Sequence, residues 1–485
     1  MGEGRGMGQE IEKSGFDDAT RAEFSARLRE ETKILKSWFD RRAFAYDDGF
    51  TGGLEVEAWL TDENALPAPR NVDFLAAAAD PMVVAELSQF NFEINTSPER
   101  LRPGFLRIVA RDLHRIWSKC RVAADRLGLT PMLVGILPTV RDEMLQLDWM
   151  SPSERYRSLN EEVFRLRSGA PLHIRIDGEE RLDVRCDHVM MEAACTSIQT
   201  HLQVNQEEAA RFWNASQIIA APIVAASANS PFLYGKSLWS ETRIPTFEQA
   251  VSVAAFRDVS GRPCGRVTFG SGYVRRSLLE LFLENHEGYP PLLPALMDKP
   301  PEKLAHLKLQ NGTIWRWNRP IIGFNDDGTP HLRIEHRATA AGPTIADMVA
   351  NMALYLGLAL HYARAETPPE ALIDFEKARA NFYAAAREGL NARFLWIDGK
   401  THDAQSLLLD RLLPEAVRGL KDAGLGDDEI AENVEGVLRP RFMTGRTGAE
   451  WQRSFVNTHG RDYQALTMRY AELQESGAPV HEWAV

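Results

Sequence analysis

Cysteine is scarce: Cys120, Cys186, Cys195 and Cys264 are the only four in a chain of 485 residues. Thiols so few and so scattered make no disulfide framework, and no two have the spacing of a zinc-ligand pair, so the expected setting is reducing and cytoplasmic. Positive charge is short as well. Lys and Arg number 56 against 68 Asp and Glu, and the formal net charge of -12 argues against a protein that coats nucleic-acid phosphates. No run of about 20 apolar residues suggests a bilayer span. The start, Met1 to Gly8, lacks the apolar stretch of a signal peptide and has Gly6 where a myristoylation motif needs Ser or Thr. With 44% hydrophobic and 26% charged residues, what remains is an ordinary globular chain with enough apolar material for a large core. Its expected partners are small molecules whose negative charge is met locally, with no nucleic acid and no membrane.

Alternation is what the sequence has in quantity. In Leu332-Arg-Ile-Glu-His-Arg337 the odd positions carry Arg333, Glu335 and Arg337, and Leu332 and Ile334 lie between them. On a strand, residues two apart share a face, so this segment sets a carboxylate between two guanidinium groups with aliphatics behind. One such strand is usually only a solvated face; the pattern, however, occurs four times. Gly53 to Leu60 places Glu55 and Glu57 opposite Leu54, Val56, Ala58 and Leu60, and Phe90 to Asn95 places Asn91, Glu93 and Asn95 opposite Phe90, Phe92 and Ile94. Ser197 to Asn205 aligns Ser197, Gln199, His201, Gln203 and Asn205. Together they predict a sheet with one greasy side covered by helices and one polar, acidic, concave side.

Along the chain, a glycine-rich start expected to be mobile precedes a cover helix from Phe16 to about Phe44, and Tyr46-Asp-Asp-Gly49 signals a turn. Pro103 to Leu127 reads as an amphipathic helix and Leu129 to Leu137 as a buried strand. His173 to Gly178 reads as one hairpin arm with its turn, Glu207 to Ser227 as a helix, and Ala228 to Gly235 as a loop. Thr344 opens a long helix with Asp347 at capping-box spacing. Beyond Pro368 the pattern is almost wholly helical: Glu370 to Leu390, Ala404 to Leu420, Asp427 to Leu438 and Ala449 to Gln474. The division expected is a cover helix over 1–45, a catalytic sheet domain over 46–345 and a helical part over 346–485 packed on the same domain. Gly270-Ser-Gly-Tyr273 is more often a turn than a phosphate cradle. Trp315-Arg-Trp-Asn-Arg319 would either stack on a purine or form a packed strand edge.

If Glu55, Glu57, Glu93 and Glu335 line one cavity with Glu86 near it, their repulsion raises their pKa values unless divalent cations compensate. An all-carboxylate cluster with one histidine, His201, suits Mg2+ or Mn2+ rather than zinc. A lone histidine is usually structural, but Gln199 and Gln203 on the same face favour a site. Arg243, Arg333 and Arg337 are then available to hold a carboxylate or phosphoryl oxygens, and metals with arginines in an acidic funnel suit phosphoryl transfer.

The set Gly53-Leu-Glu-Val-Glu57, Glu86 seven before Glu93, Gln199-Thr-His-Leu-Gln203, Ala228 to Gly235 followed by Arg243, and Ile334-Glu-His-Arg337 resembles glutamate-cysteine ligase family 2, the carboxylate-amine ligases. The resemblance implies an α+β fold like that of glutamine synthetase: an antiparallel sheet curled into a funnel, helices packed outside, and a helical C-terminal part. It implies ATP-dependent activation of a carboxylate, typically the γ-carboxylate of L-glutamate, and attack by an amine, with L-cysteine the commonest acceptor and glutathione biosynthesis the usual setting. By that resemblance Glu55, Glu57, Glu86, Glu93, His201 and Glu335 are metal ligands. Arg243, with Gln199 and Gln203, holds substrate; Arg337 and Arg333 hold the nucleotide side, and Arg337, Glu335 and Arg243 form the catalytic set. Close relatives can have Asp where Glu86 stands. No nucleophilic side chain is required, which makes Cys195 a core thiol. A ligase for another acid and amine, a non-catalytic sensor of the same fold and a metal-dependent amidohydrolase remain the alternatives, as do a monomer and a homodimer.

Overall fold

A computed structural model describes residues 11, 15–45, 49–253, 256–258 and 261–485. The glycine-rich start at Met1 to Gly8 and the turn positions Tyr46 to Asp48 lie outside these.

The alternating segments are all strands of one eight-stranded antiparallel sheet, curled into a half-barrel. They are β1 (Thr51–Thr61), β2 (Val83–Ala85), β3 (Asn91–Asn95), β4 (Glu99–Arg100), β5 (Thr130–Met132), β6 (Ser197–Val204), β7 (Asn318–Phe324) and β8 (Pro330–Ala340). The order is β7-β8-β6-β1-β3-β2, with β4 and β5 also pairing with β1. Leu54, Val56, Ala58, Phe92, Ile94, Ile198, Leu202, Leu332 and Ile334 are all buried on the back face. Helices α2 (Phe105–Asp125), α3 (Ala209–Ser227) and α5 (Ile345–Ala363) supply the cover there. The expected cover helix is α1 (Asp18–Asp40), started by Asp17, whose carboxylate accepts from the Thr20 amide at 2.7 Å. Between β1 and β2, Asn71–Ala78 is a short helix.

Four expectations are corrected. The strand predicted over Leu129 to Leu137 ends at Met132, although the remainder is buried. β5 shares an edge of β1 with β6 and must leave where β6 arrives; beyond it the Leu133 carbonyl accepts from the side chains of Tyr470 and Gln474, both at 2.9 Å. The helix predicted from Ala449 to Gln474 is two, Gly448–His459 and Tyr463–Ser476, broken where Gly460 takes φ +86°, a backbone state that a side chain strains. The helical C-terminal third also holds a small hairpin, Arg393–Leu395 with Thr401–Asp403. The Ala228 to Gly235 loop contains Phe232–Leu233, paired with Lys236–Ser237 across a tight turn at Tyr234 and Gly235.

α5 begins at the predicted capping box. The Thr344 hydroxyl and the Asp347 carboxylate are exchanged with each other's backbone amides at 3.2 Å each. Asp347 also receives Arg441 at 2.8 Å and the Val480 amide at 3.1 Å, all buried. α5 is long and apolar enough to cross a membrane by length and composition, but 89% of that stretch is buried inside the protein. Replacing Asp347 with Ala leaves the Arg441 charge without its carboxylate, and is expected to cost about 3–5 kcal/mol of stability, measured by urea denaturation.

Candidate active site

Register decides which side chains meet. Glu57 lies opposite Glu93 across the β1-β3 pair, and His201 lies opposite Glu335 across the β6-β8 pair. Because Gly53 is the residue opposite His201, Glu55 is its diagonal neighbour on the same face, and its Oε1 lies 3.1 Å from His201 Nε2. Glu86 reaches in from just beyond β2. Two groups of possible ligands result, Glu55 with His201 and Glu335, and Glu57 with Glu86 and Glu93, each with ligand atoms within 4.8 Å of one another.

The two groups differ in charge balance. Burial opposes ionisation of Glu335, but Arg319, then Arg337 and His201, outweigh it and hold its carboxyl at about 2. Arg319 donates from both Nε and Nη2, each at 2.8 Å. In Glu55, too, burial is outweighed, here by His201 and Arg333. The other triad is uncompensated. Burial and then the Glu57 charge push Glu86 up to about 8; burial and then Glu55, Glu86 and Glu57 push Glu93 far above the carboxylate range. Glu57 is raised by burial despite Arg337 and the Ser197 amide, which donates to it at 2.6 Å.

These residues fit divalent cations. Glu55 Oε2, Glu93 Oε2 and His201 Nδ1 are buried without a hydrogen-bond partner among the described residues, and crowded carboxyls with raised pKa values are what a hard oxygen-seeking cation relieves.

Arg337 stands between the triads. Its Nη1 is 3.4 Å from Glu335, its guanidinium lies over the Phe247 ring, and its charge acts on Glu57 and Glu86. A bulge between His336 and Thr339 sets this position: the Arg337 amide donates to Trp317 rather than to β6. His336 faces the back, stacked on Tyr355 and bonded to Asn318, with burial holding its imidazole down at about 3. Arg333 and Gln203 face each other across the pair further along β8 and β6. Gln199 is fully buried and donates to Glu57 at 2.9 Å.

Arg243 does not come from the sheet. It opens helix α4 (Arg243–Ala250), buried, with Nε on Glu241 at 3.1 Å, Nη2 on the Ala338 carbonyl and its plane over Trp317. It borders the funnel through its effect on Glu57, with two of its three nitrogens engaged. The Trp315 to Arg319 segment is packed strand: Trp317 is fully buried and Arg316 pairs with Glu284. Gly270 sits in a turn against α3, and the Ser271 hydroxyl is turned to Glu284. Cys195 points at the Arg243 carbonyl, 3.6 Å away.

Arg319 was not singled out as a site residue: its own strand, Asn318 to Phe324, does not alternate polar with apolar residues, and only pairing with β8 sets it opposite Glu335. Glu192, on the 3₁₀ turn Val189–Ala194, carries no periodic signal at all.

Against Trp317 lies a titrating carboxyl. Burial raises Glu248 to about 7, although Trp317 Nε1 and the Tyr383 hydroxyl donate to it at 2.9 and 2.7 Å. The folded state therefore favours the protonated form, a contribution present below the ordinary value of 4.5 and lost as pH rises through about 7. Glu248→Gln removes that loss. At about pH 8 the variant is expected to be more stable than the parent by up to about 3 kcal/mol, with little difference at about pH 4, in urea titrations.

Comparison with known proteins follows the same lines. A family model described as glutamate-cysteine ligase family 2 matches residues 51–469. No curated protein matches the chain. Among solved structures, the glutamate–cysteine ligase of Francisella tularensis in complex with AMP superposes with TM-score 0.52 at 10% identity, covering 89% of this chain and 90% of that one. A bifunctional glutathione synthetase from Pasteurella multocida gives 0.48 at 11% identity, covering 92% of this chain and 55% of that one. At 10% identity the likeness to the first of these concerns the fold alone, a curled sheet with helices outside.

Proposed function

From its place in glutamate-cysteine ligase family 2, to which the chain belongs, we propose that this ATP-dependent carboxylate-amine ligase activates the γ-carboxylate of L-glutamate and joins it to an amine. Cysteine is the first amine to test, and with it the product is γ-glutamylcysteine. The observation that carries the reading is the pair of adjoining ligand triads with Arg337 between them.

Glu57, Glu86 and Glu93 would hold one divalent cation, and Glu55, His201 and Glu335 another. Mg2+ or Mn2+ bound there supplies neutralisation of the nucleotide phosphates and of the substrate carboxylate. The residues of the chain position the rest. Arg333 faces the nucleotide side, with Gln203, the expected substrate contact, opposite it across the β6-β8 pair. Gln199 and Arg243 border the acid substrate, and Arg319 fixes Glu335 in one orientation. Arg337 presents a fork of N–H donors where charge grows on the transferred phosphoryl group.

Atoms balance without a protein nucleophile. An oxygen of the γ-carboxylate attacks the γ-phosphorus, ADP departs with the bonding pair, and an acyl phosphate forms. The amine nitrogen, having shed a proton from its ammonium form, attacks the acyl carbon; phosphate leaves with the C–O electron pair, and the nitrogen loses a second proton. Holding these partners in line is the main task of such a site.

The test is incubation with ATP, Mg2+ and glutamate, with hydroxylamine to trap the acyl phosphate as a hydroxamate, and then with a panel of amines while phosphate release is followed. Glutamate-dependent hydroxamate together with amine-dependent phosphate is expected. Nucleotide binding without either would point to a sensor, and amide cleavage without ATP to a hydrolase.

A further inference from the structure

The roles assigned above leave one carboxylate in the funnel without a task. Glu192 is half-buried on the turn Val189–Ala194, which packs against α4 and leads into β6. Its side chain has no hydrogen bond or ion pair among the described residues. It belongs to neither ligand triad; its turn packs on α4, whose Phe247 ring lies under the Arg337 guanidinium, and the charges of Glu86, Glu57 and Arg337 act on it. Tyr156 shares the space: its hydroxyl lies 3.4 Å from the Ala85 carbonyl, and it feels Glu86, Arg155, Glu192 and Glu93. Cations in the triads would satisfy Glu57, Glu86 and Glu93 and still leave Glu192 unpaired.

A second observation is independent of that carboxylate. Gln199 is fully buried, and its amide nitrogen is fixed on Glu57 Oε1 at 2.9 Å, so its own Oε1 has no partner. Turning the amide over would set two oxygens together, so the charge on Glu57 decides its orientation. A buried acceptor of this kind is satisfied by an N–H or O–H that arrives with a ligand or water, or by a cation.

We propose that Glu192 receives the ammonium group of the acceptor amine, a primary amine in its protonated form, and holds it beside Arg337. This deepens the ligase reading above and rests on it. The choice of the acceptor over the α-ammonium of glutamate follows from position. Arg337 meets the acyl phosphate, and the incoming nitrogen must approach that same carbon, whereas the α-ammonium lies at the far end of the acid's carbon chain. Among described residues the turn brings to this wall a carboxylate and no cation of its own, so a charged amine gains what a neutral one does not.

The experiment compares Glu192→Gln with the parent enzyme, using full-length protein, saturating ATP and Mg2+, and two nucleophiles at slightly alkaline pH: an alkylamine or amino acid that is protonated there, and hydroxylamine, which is mostly uncharged. Expected is a rise of about tenfold or more in KM for the charged amine. The ratio of its kcat/KM to that of hydroxylamine falls by a similar factor, and KM for glutamate stays within about twofold. Equal losses with both nucleophiles, or a rise confined to the KM for glutamate, overturn the assignment. Absence of hydroxamate from the parent enzyme overturns the ligase reading itself, a result distinct from either of these.

Discussion

Glu93→Gln is expected to lower kcat by about 10³-fold or more while making the metal-free protein more stable. The two effects have one cause. Glu93 is fully buried opposite Glu57, within ligand distance of Glu86, and the Asn95 amide donates to it at 2.8 Å. The glutamine keeps the shape and removes a carboxyl whose ionisation burial and its neighbours oppose, which relieves the apo-protein and takes a ligand from the cation. Thermal unfolding with and without Mn2+ checks this: the variant should melt higher than the parent without the ion and gain less from adding it. A variant that keeps its activity, or that melts lower without metal, would remove the basis for calling Glu57, Glu86 and Glu93 a cation site.

Arg337→Lys is expected to reduce kcat by about 10²- to 10³-fold with KM for ATP changed little. Lysine keeps the charge, so what is lost is the planar fork and its reach across both triads. The fold should tolerate the change, because Glu335 remains fixed by both nitrogens of Arg319, and the Arg337 contact to Trp317 is made by backbone. Rapid-quench measurement of hydroxamate formation locates the defect in the first chemical step. An unchanged rate there, with slow product release, would assign Arg337 to substrate retention.

Much of this site was legible in the chain because a strand has a period of two. Glu55 and Glu57, Gln199 and His201, and Glu335 and Arg337 fall on the polar face for the same reason that Leu54, Ile198 and Ile334 fall on the buried one. The capping box at Thr344 and Asp347 was equally local. Failures occurred where a non-local contact decides. Leu133 to Leu137 is as apolar as a strand, and leaves the sheet because β6 takes the edge of β1 and Tyr470 and Gln474 take its carbonyl. Arg243, expected at the substrate carboxylate, lies outside the sheet, and only the structure shows that two of its nitrogens are held by Glu241 and the Ala338 carbonyl.

Alternation, composition and short-range spacing determined by themselves that an acidic sheet face with basic neighbours exists, because side-chain direction along a strand is set by the backbone alone. They did not determine its division into two unequal groups. That depended on register between strands distant in sequence, which set Arg319 against Glu335 and left Glu57, Glu86 and Glu93 without a guanidinium of their own. The same packing left Glu192 unpaired beside them, since only tertiary structure fixes which charges are near enough in a low-dielectric interior to neutralise one another.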